Sequence, residues 1–162
     1  MPLPVVAVLD NIRSLYNVGS IFRTADAAGI ARLYLCGITP APPHPSIRKT
    51  ALGADERVPY EHHHNAQATV ARLRMTGYRI AAIETGPAST DLFDWQPEFP
   101  LAVLFGNEVE GLSQPLLDLS DIRISLPMHG IKRSLNVSTT AGIVFYDLLR
   151  AVRHAALPTS HG

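Results

Sequence analysis

The chain is poor in cysteine and lysine, and each shortage excludes a class of protein. Its single cysteine, Cys36, cannot form an intramolecular disulfide, which excludes a disulfide-stapled scaffold and indicates a reducing compartment. Only two of the fourteen basic residues are lysines, and fourteen acidic residues bring the formal net charge to zero. A broadly cationic nucleic-acid binder is therefore excluded, although a local basic patch is not, because electrostatic steering depends on where the charge lies.

Long apolar runs and several common signatures are also missing. No apolar segment approaches the roughly 20 residues that a membrane-spanning helix needs, and the N-terminal segment MPLPVVAVLDN lacks the basic start of a secretion signal. The sequence contains no GxGxxG, no GxxxxGK[ST] and no GxSxG, so the usual signatures of dinucleotide binding, triphosphate binding and serine hydrolysis are absent. We expect a cytoplasmic enzyme that forms one domain over residues 1–162.

Cysteine and histidine give no catalytic or metal-binding signature. Cys36 ends an apolar segment and is predicted to be buried rather than nucleophilic. The adjoining His62, His63 and His64 have no cysteine or carboxylate at metal-ligand spacing, so we predict a solvated run. The sequence therefore predicts no metal site.

Short apolar runs alternate with segments of helical spacing. Strands are predicted over residues 5–9, 32–36, 78–83, 101–105 and 122–126, and helices over 18–28, 46–52, 66–75, 114–118 and 136–153. Residues 86–100 are predicted to be irregular and the tail from Pro158 to be loose. This alternation predicts a parallel α/β sheet with helices on both faces. Ligand sites of such sheets lie beyond the carboxyl ends of the strands.

Three segments at those strand ends carry amide, glycine and charged side chains. They contain the patterns Nx5NxGx3RT from residue 11, FGNExxGL from residue 105, and LPMxGx3SLNVS from residue 126. Each segment by itself also fits an ordinary structural role. Asn17 is predicted as the N-cap of the first helix, Ser134 or Asn136 as the N-cap of the last, and the second segment fits a plain turn.

Taken together and in order, the three patterns resemble the motifs of the SpoU-like ribose 2′-O-methyltransferases of the SPOUT superfamily. The resemblance runs from about Val5 to Arg153 and includes the middle segment TALGA from residue 50. It implies a parallel α/β domain with a deep C-terminal trefoil knot, acting as a homodimer without a separate RNA-binding domain. It also implies methyl transfer from S-adenosylmethionine to a ribose 2′-hydroxyl of tRNA or rRNA, with no metal.

The resemblance also assigns roles to residues. Arg23 is the catalytic arginine, and we expect it to stabilise the developing 2′-alkoxide, because a guanidinium cannot act as an ordinary base. Asn17, Asn136 and Glu108 are expected to support catalysis. Gly106 is expected to let the adenosine approach the backbone closely. Cofactor contacts are expected from Ile83, Glu84, Thr85, Gly106, Asn107, Gly111, Ile124, Leu126, Met128, Ser134, Leu135 and Asn136. RNA contacts are expected from Asn11, Arg13, Arg48, Lys49, Lys132 and Arg133, with the basic residues forming one strip.

Alternatives remain open on the sequence alone. One is a non-catalytic nucleotide- or flavin-binding α/β module, and another is an RNA-binding or assembly protein that has lost methyl transfer. The last predicted helix, with Phe145, Leu148 and Leu149, is apolar over a broad face. We expect that face to pack a partner subunit as well as its own core, the alternative being a helix that only closes the sheet.

Overall fold

The computed structural model describes residues 1–156, in which seven parallel strands form the central sheet. The strands are β1 (Val5–Asp10), β2 (Arg32–Cys36), β3 (Tyr60–His63), β4 (Arg79–Ile83), β5 (Thr90–Asp91), β6 (Leu101–Phe105) and β7 (Ile122–Ser125). Their spatial order is β3-β2-β1-β6-β4-β7-β5, and every neighbouring pair runs parallel. The predicted parallel α/β sheet is therefore confirmed. The tail from Pro158 lies outside the described residues.

Helices cover both faces of the sheet, as predicted. They are α1 (Leu15–Ala28), α2 (Pro45–Ala51), α3 (Ala66–Met75), α4 (Gln114–Leu119) and α5 (Val137–Ala155). Alternate residues of β1 enter two separate apolar clusters: Val5, Ala7 and Leu9 pack with α1, α2 and α5, whereas Val6 and Val8 pack with α3 and α4. Among these helices of residues 1–156, none combines the length and the apolar character that crossing a bilayer requires.

The ends of the helices follow from side-chain caps. Ser14 Oγ accepts a hydrogen bond from the backbone N–H of Asn17 at 3.1 Å, so Ser14 is the N-cap of α1. The predicted capping role of Asn17 is therefore wrong, since Asn17 lies within the first turn and is only 5% exposed. The helix ends at Gly29, which takes the left-handed conformation with φ +86°. Of the two caps considered for α5, the structure selects Asn136, whose Oδ1 accepts from the N–H of Ser138 at 2.9 Å.

Polar and very short elements are the ones that the sequence did not predict. Strand β3 lies at the edge of the sheet and consists of the polar segment YEHH. It carries part of the predicted histidine run: His62 and His64 are exposed as expected, but His62 Nε2 also lies 3.1 Å from the carbonyl oxygen of Thr39. No group of three or more His, Cys, Asp or Glu side chains within residues 1–156 is placed to hold a metal.

The segment 86–100 is mostly irregular, as predicted, but contains the two-residue strand β5 and a 3₁₀ turn at Leu92–Asp94. A second 3₁₀ turn, Ala54–Glu56, follows α2. Cys36 is buried, as the sequence predicts, and this burial raises the pKa of its thiol to about 11. The thiol therefore stays protonated near neutral pH and is a poor nucleophile.

Candidate functional site

A cavity of about 460 Å³ opens beyond the carboxyl ends of β4, β6 and β7. All twelve residues predicted to contact a cofactor line it, together with Glu108 and Arg133. The sequence missed six further lining residues: Phe105, Val109, Glu110, Ser125, Val137 and Thr140. Most of these are immediate neighbours of predicted positions, and Thr140 follows Asn136 by one helical turn, so helical spacing could have identified it.

The loop after β6 forms one wall of this cavity and is held in a tight turn. Asn107 Oδ1 accepts hydrogen bonds from the backbone N–H groups of Val109 and Glu110 at 2.9 and 3.0 Å. A Cβ atom on Gly106 would overlap the backbone of Gly111 and Leu112. Gly106 is therefore required by the chain's own close approach, in addition to the ligand contact expected from the sequence.

Glu84, at the end of β4, supports the same turn from the neighbouring strand. Its Oε2 accepts a hydrogen bond from the N–H of Leu112 at 2.8 Å, and its Oε1 accepts from the N–H of Thr85 at 3.3 Å. A Cβ on Gly111 would meet this carboxylate, and Gly111 also has a φ of +70°. The carboxylate of Glu84 therefore sets the position of the turn relative to β4.

Glu108 connects the second motif to the first. Its carboxylate accepts hydrogen bonds from the N–H groups of Arg13 and Ser14 at 3.2 and 3.1 Å, and from Asn17 Nδ2 at 3.4 Å. Desolvation alone would raise the pKa of Glu108, but hydrogen bonds from its own backbone N–H and from these donors outweigh it and lower the pKa below its usual value. Glu108 and the buried Asn17 therefore lie together, and both position the start of α1.

Asn11 makes a second connection between the same motifs. It adopts a left-handed conformation with φ 57°, and its carbonyl oxygen accepts from Asn107 Nδ2 at 2.8 Å. Its side-chain Oδ1 accepts from the N–H of Ile38 at 3.1 Å. Because both oxygens already have partners inside the protein, the structure gives Asn11 an internal role that the sequence did not predict.

The third motif is the most exposed part of the cavity. The residues from 129 to 136 are all exposed, with Ile131 at 98% and Leu135 at 43%. Of the two cations predicted here for RNA contact, Arg133 lines the cavity, and Lys132 is exposed without being part of its lining.

Arg23 lies apart from this cavity. It is exposed on the third turn of α1 and lines a separate groove of about 610 Å³, which Lys49 also lines. Six residues separate Arg23 from Asn17, which is about 9 Å along a helix. The structure therefore places Asn17, Glu108 and Asn136 at the cavity or its edge, and Arg23 elsewhere.

One member of the predicted basic strip, Arg48, is paired inside the protein. Arg48 points toward the turn after α2, where its Nε lies 3.6 Å from Asp55 Oδ2 and its Nη2 pairs with Glu56. Its charge is thus balanced in part inside the protein, and its role in RNA contact stays a prediction. Arg133 and Lys49 line two different depressions.

The residues named for partner packing on the last helix lie mainly within their own chain. Phe145 and Leu148 are fully buried in the core of their own chain, and Leu149 packs against that core. The exposed apolar side chains of α5 are instead Ile143 and Tyr146, at 39% and 50% exposure. A homodimer stays a prediction, and any interface that uses α5 must use these residues.

A parallel sheet with a cavity formed by three loops at the carboxyl ends of its strands defines a ligand-binding α/β domain. The particular family follows from comparison with known proteins. The chain belongs to the SpoU rRNA Methylase family, whose model matches residues 4–146. The resemblance inferred from the three motifs is thereby confirmed.

Individual relatives agree with this family. A protein of Staphylococcus haemolyticus named as a TrmH family tRNA/rRNA methyltransferase is 34% identical over 148 residues, covering 91% of this chain and 59% of that protein. The chain therefore spans less than two thirds of the length of that relative.

Solved structures share the fold. The TrmH/SpoU tRNA modifying enzyme of A. aeolicus is similar with a TM-score of 0.85 and 26% identity, over 94% of this chain and 77% of that one. The AdoMet-bound rRNA methyltransferase of Sinorhizobium meliloti is similar with a TM-score of 0.86 and 26% identity, over 98% of this chain and 59% of that one.

Proposed function

We propose that this protein is an S-adenosylmethionine-dependent methyltransferase that modifies a ribose 2′-hydroxyl of tRNA or rRNA. The observation that carries the proposal is the cavity in which all twelve expected cofactor positions meet. Family membership and the names of the relatives support RNA methylation, and the AdoMet-bound structure from Sinorhizobium meliloti supports the cofactor. An RNA substrate fits the cytoplasmic location expected from the sequence.

The residues present fit this cofactor. A cavity of about 460 Å³ lies in the usual range of about 300–1,000 Å³ for small-molecule sites. Glu84, Glu108 and Glu110 line it, so the local charge favours a ligand that carries a sulfonium cation. The backbone of the turn from Gly106 to Gly111 and the start of α5 at Asn136 would hold the ligand. When bound, S-adenosylmethionine supplies an electrophilic methyl group.

The chain's own residues must then activate the 2′-hydroxyl. The 2′-oxygen would bond to the methyl carbon as the carbon–sulfur bond breaks, and its proton would pass to solvent water, so negative charge develops on the oxygen as the proton leaves. Arg23 has five N–H donors and no acceptor, so it stabilises this charge by hydrogen bonding and does not remove the proton. Asn17 and Glu108 act as positioning residues, because they fix the first turn of the helix that carries Arg23.

We further propose that the working unit is a homodimer in which the RNA is bound across both subunits. Arg23 and the cofactor cavity of the same chain belong to different depressions, and α5 runs past both, with Thr140 in one and Tyr146 in the other. These two residues are about 9 Å apart along the helix. A second subunit that places its cavity beside the Arg23 groove would bring catalytic and cofactor groups together.

The proposed trefoil knot lies in the C-terminal half. Strand β7 is inserted between β4 and β5, and β6 between β1 and β4, so late segments of the chain lie inside a sheet built by earlier ones. This order supports the threading of the last segment through a loop that the resemblance implies. An experimental structure traced continuously from residue 101 to α5 tests the proposal, and an unthreaded path contradicts it.

Three measurements test the function. Titration calorimetry with S-adenosylmethionine should show saturable binding at one site per chain, and purified protein should transfer a radiolabelled methyl group to bulk RNA. Mass mapping should then locate the product as a 2′-O-methyl nucleotide. Binding of cofactor without any methyl transfer would favour a non-catalytic binding protein, and methylation of a base would contradict the ribose assignment.

A further inference from the structure

The charged side chains that line the cofactor cavity are not equivalent. They are Glu84, Glu108, Glu110 and Arg133, so carboxylates outnumber the single guanidinium. This excess of negative charge favours a cationic ligand. A carboxylate whose oxygens already accept hydrogen bonds from the protein has less to offer a ligand than one whose oxygens do not, so the partners of each glutamate decide which of them acts.

Two of the three carboxylates are bound by backbone N–H groups on both oxygens. Glu84 accepts from the N–H of Leu112 at 2.8 Å through Oε2, and from the N–H of Thr85 at 3.3 Å through Oε1. Glu108 accepts from two N–H groups at the start of α1, at 3.2 Å through Oε2 and at 3.1 Å through Oε1. Both side chains are therefore committed to holding the loops in place.

Glu110 differs from both. Its backbone N–H donates to Asn107 Oδ1 at 3.0 Å, which fixes its main chain in the turn at the cavity wall. Its side chain is exposed, and among residues 1–156 it accepts none of the hydrogen bonds that hold this turn and forms no ion pair, not even with Arg133. Within the described part of the chain, Glu110 is thus the lining carboxylate whose charge is free to act on a ligand.

Methyl transfer changes the charge of the bound cofactor at one atom. The electron pair of the broken carbon–sulfur bond stays on sulfur, so the sulfonium cation of the substrate becomes a neutral thioether in the product, S-adenosylhomocysteine. Substrate and product share the adenosine, the α-ammonium and the α-carboxylate. Contacts to these shared groups bind both molecules alike, and an electrostatic attraction to the sulfonium separates them.

We propose that Glu110 makes the cavity prefer the cationic methyl donor over the spent product, so that fresh cofactor displaces S-adenosylhomocysteine. A cavity of about 460 Å³ is roughly 10 Å across, close to the screening length of about 8 Å at physiological salt, so the Glu110 charge acts on a ligand inside it. The proposal rests on the proposed function, because it takes this cavity as the S-adenosylmethionine site. It makes Glu110 a specificity-determining residue of that site.

Calorimetry with two ligands tests the preference. Glu110→Gln keeps the size of the side chain and removes its charge. It should bind S-adenosylmethionine about fivefold more weakly than the wild type, the upper end for an exposed ion pair, and S-adenosylhomocysteine within about twofold. The unchanged product affinity also reports that the cavity of the variant is intact. Asp94→Asn is the matched control, since Asp94 is exposed, lies outside the cavity lining and loses the same charge.

Salt provides a second measurement. The ratio of the two affinities should fall in the wild type between about 0.01 M and about 1 M salt, where the screening length shortens from about 30 Å to about 3 Å. In Glu110→Gln the ratio should depend less on salt. The proposal is overturned if Glu110→Gln leaves the ratio unchanged. An equal loss for both ligands also overturns it, because Glu110 would then contact a group that substrate and product share.

The outcomes separate this proposal from the proposed function. If the wild type binds neither ligand, the cavity is not the cofactor site and the proposed function fails. If the wild type binds S-adenosylmethionine and methylates RNA but Glu110→Gln keeps the same ratio of affinities, the function stands and the role of Glu110 fails. If the ratio changes as expected but no RNA is methylated, the role of Glu110 stands and the proposed reaction fails.

Discussion

Arg23 carries the chemistry of the proposed reaction, although it lies outside the cavity that would hold the cofactor. We therefore predict that Arg23→Ala lowers methyl transfer at least about a hundredfold, because the developing alkoxide loses its hydrogen-bond donors. Arg23→Lys should also be poor, since one ammonium cannot reproduce the guanidinium fork. A methyl-transfer assay measures this loss. Calorimetry with S-adenosylmethionine should show that the cofactor affinity barely changes. Turnover near that of the wild type would remove Arg23 from catalysis.

Replacing Arg48 is predicted to affect the stability of the fold and not the methyl-transfer step. Asp55 has a side chain that is only 1% exposed, and both of its carboxylate oxygens lack hydrogen-bond partners among the described residues. Arg48 lies 3.6 Å away, so Arg48→Ala should leave a buried carboxylate without its cation. We expect a loss of about 1–2 kcal/mol in urea unfolding, less than for a fully buried pair because Arg48 is itself largely exposed.

Two further variants test the stability effect predicted for Arg48→Ala. Arg57→Ala, at an exposed arginine of the same region that forms no ion pair within residues 1–156, should change stability by less than about 0.5 kcal/mol. Asp55→Asn in the Arg48→Ala background should recover part of the loss, because it removes the buried charge. If Arg48→Ala instead weakens RNA binding and leaves stability unchanged, the result would support the RNA contact of Arg48 expected from the sequence.

At the scale of elements, regular amphipathic segments were predictable and polar or very short ones were not. The helix predicted over residues 66–75 coincides with α3, and the buried strand predicted over 101–105 coincides with β6. Strand β3 was missed because an edge strand needs no apolar alternation, and its YEHH segment has none. A two-residue strand such as β5 is too short to leave any periodic pattern.

The junction between the first two motifs depends on Glu108, and its charge makes that junction sensitive to pH. Its pKa is lowered in the folded protein from its ordinary value of 4.5, so the ionised carboxylate stabilises the fold. This contribution is complete above pH 4.5 and is lost as the pH falls through the lower, folded-state pKa. It should be worth less than about 1 kcal/mol, because Glu108 is exposed.

Thermal unfolding of the wild type and Glu108→Gln checks this. At pH 7 the wild type should be the more stable of the two, and the difference should shrink as the pH is lowered below 4.5 and through the folded-state pKa. Glu110→Gln is the control, since Glu110 lies in the same turn and accepts none of these hydrogen bonds. A difference that does not depend on pH would show that the side chain acts by its shape and not by its charge.

At the scale of the whole molecule, the candidate site could be assembled from the sequence only through the family resemblance. The connections that build it join residues far apart in the chain, such as Asn107 to Asn11 and Leu112 to Glu84. No local pattern reports such pairs. For the same reason the sequence did not predict the ion pairs of Arg48 with Asp55 and Glu56, which spacing alone does not reveal.

The separation of Arg23 from the cofactor cavity gives the strongest test of the whole assembly. If the two must meet across a homodimer, variants defective in different sites should complement each other. Arg23→Ala removes the catalytic group, and Ser134→Trp places a bulky side chain at an exposed position of the cavity lining. Each variant alone should be inactive toward RNA. A mixture that has exchanged subunits should regain methyl transfer, because each mixed dimer combines one intact cavity with one intact Arg23.

The methyl-transfer activity expected from the mixture can be calculated. With equal amounts and random exchange, about half of the dimers are mixed and each has one working site of two, so activity should recover to about a quarter of the wild type. The control is a double variant that carries both changes in one chain. Mixed with either single variant, it should recover no methyl transfer. If sedimentation shows exchange into mixed dimers but the mixture stays inactive, Arg23 serves the cavity of its own chain. A stable monomer at low micromolar concentration would contradict the dimer itself.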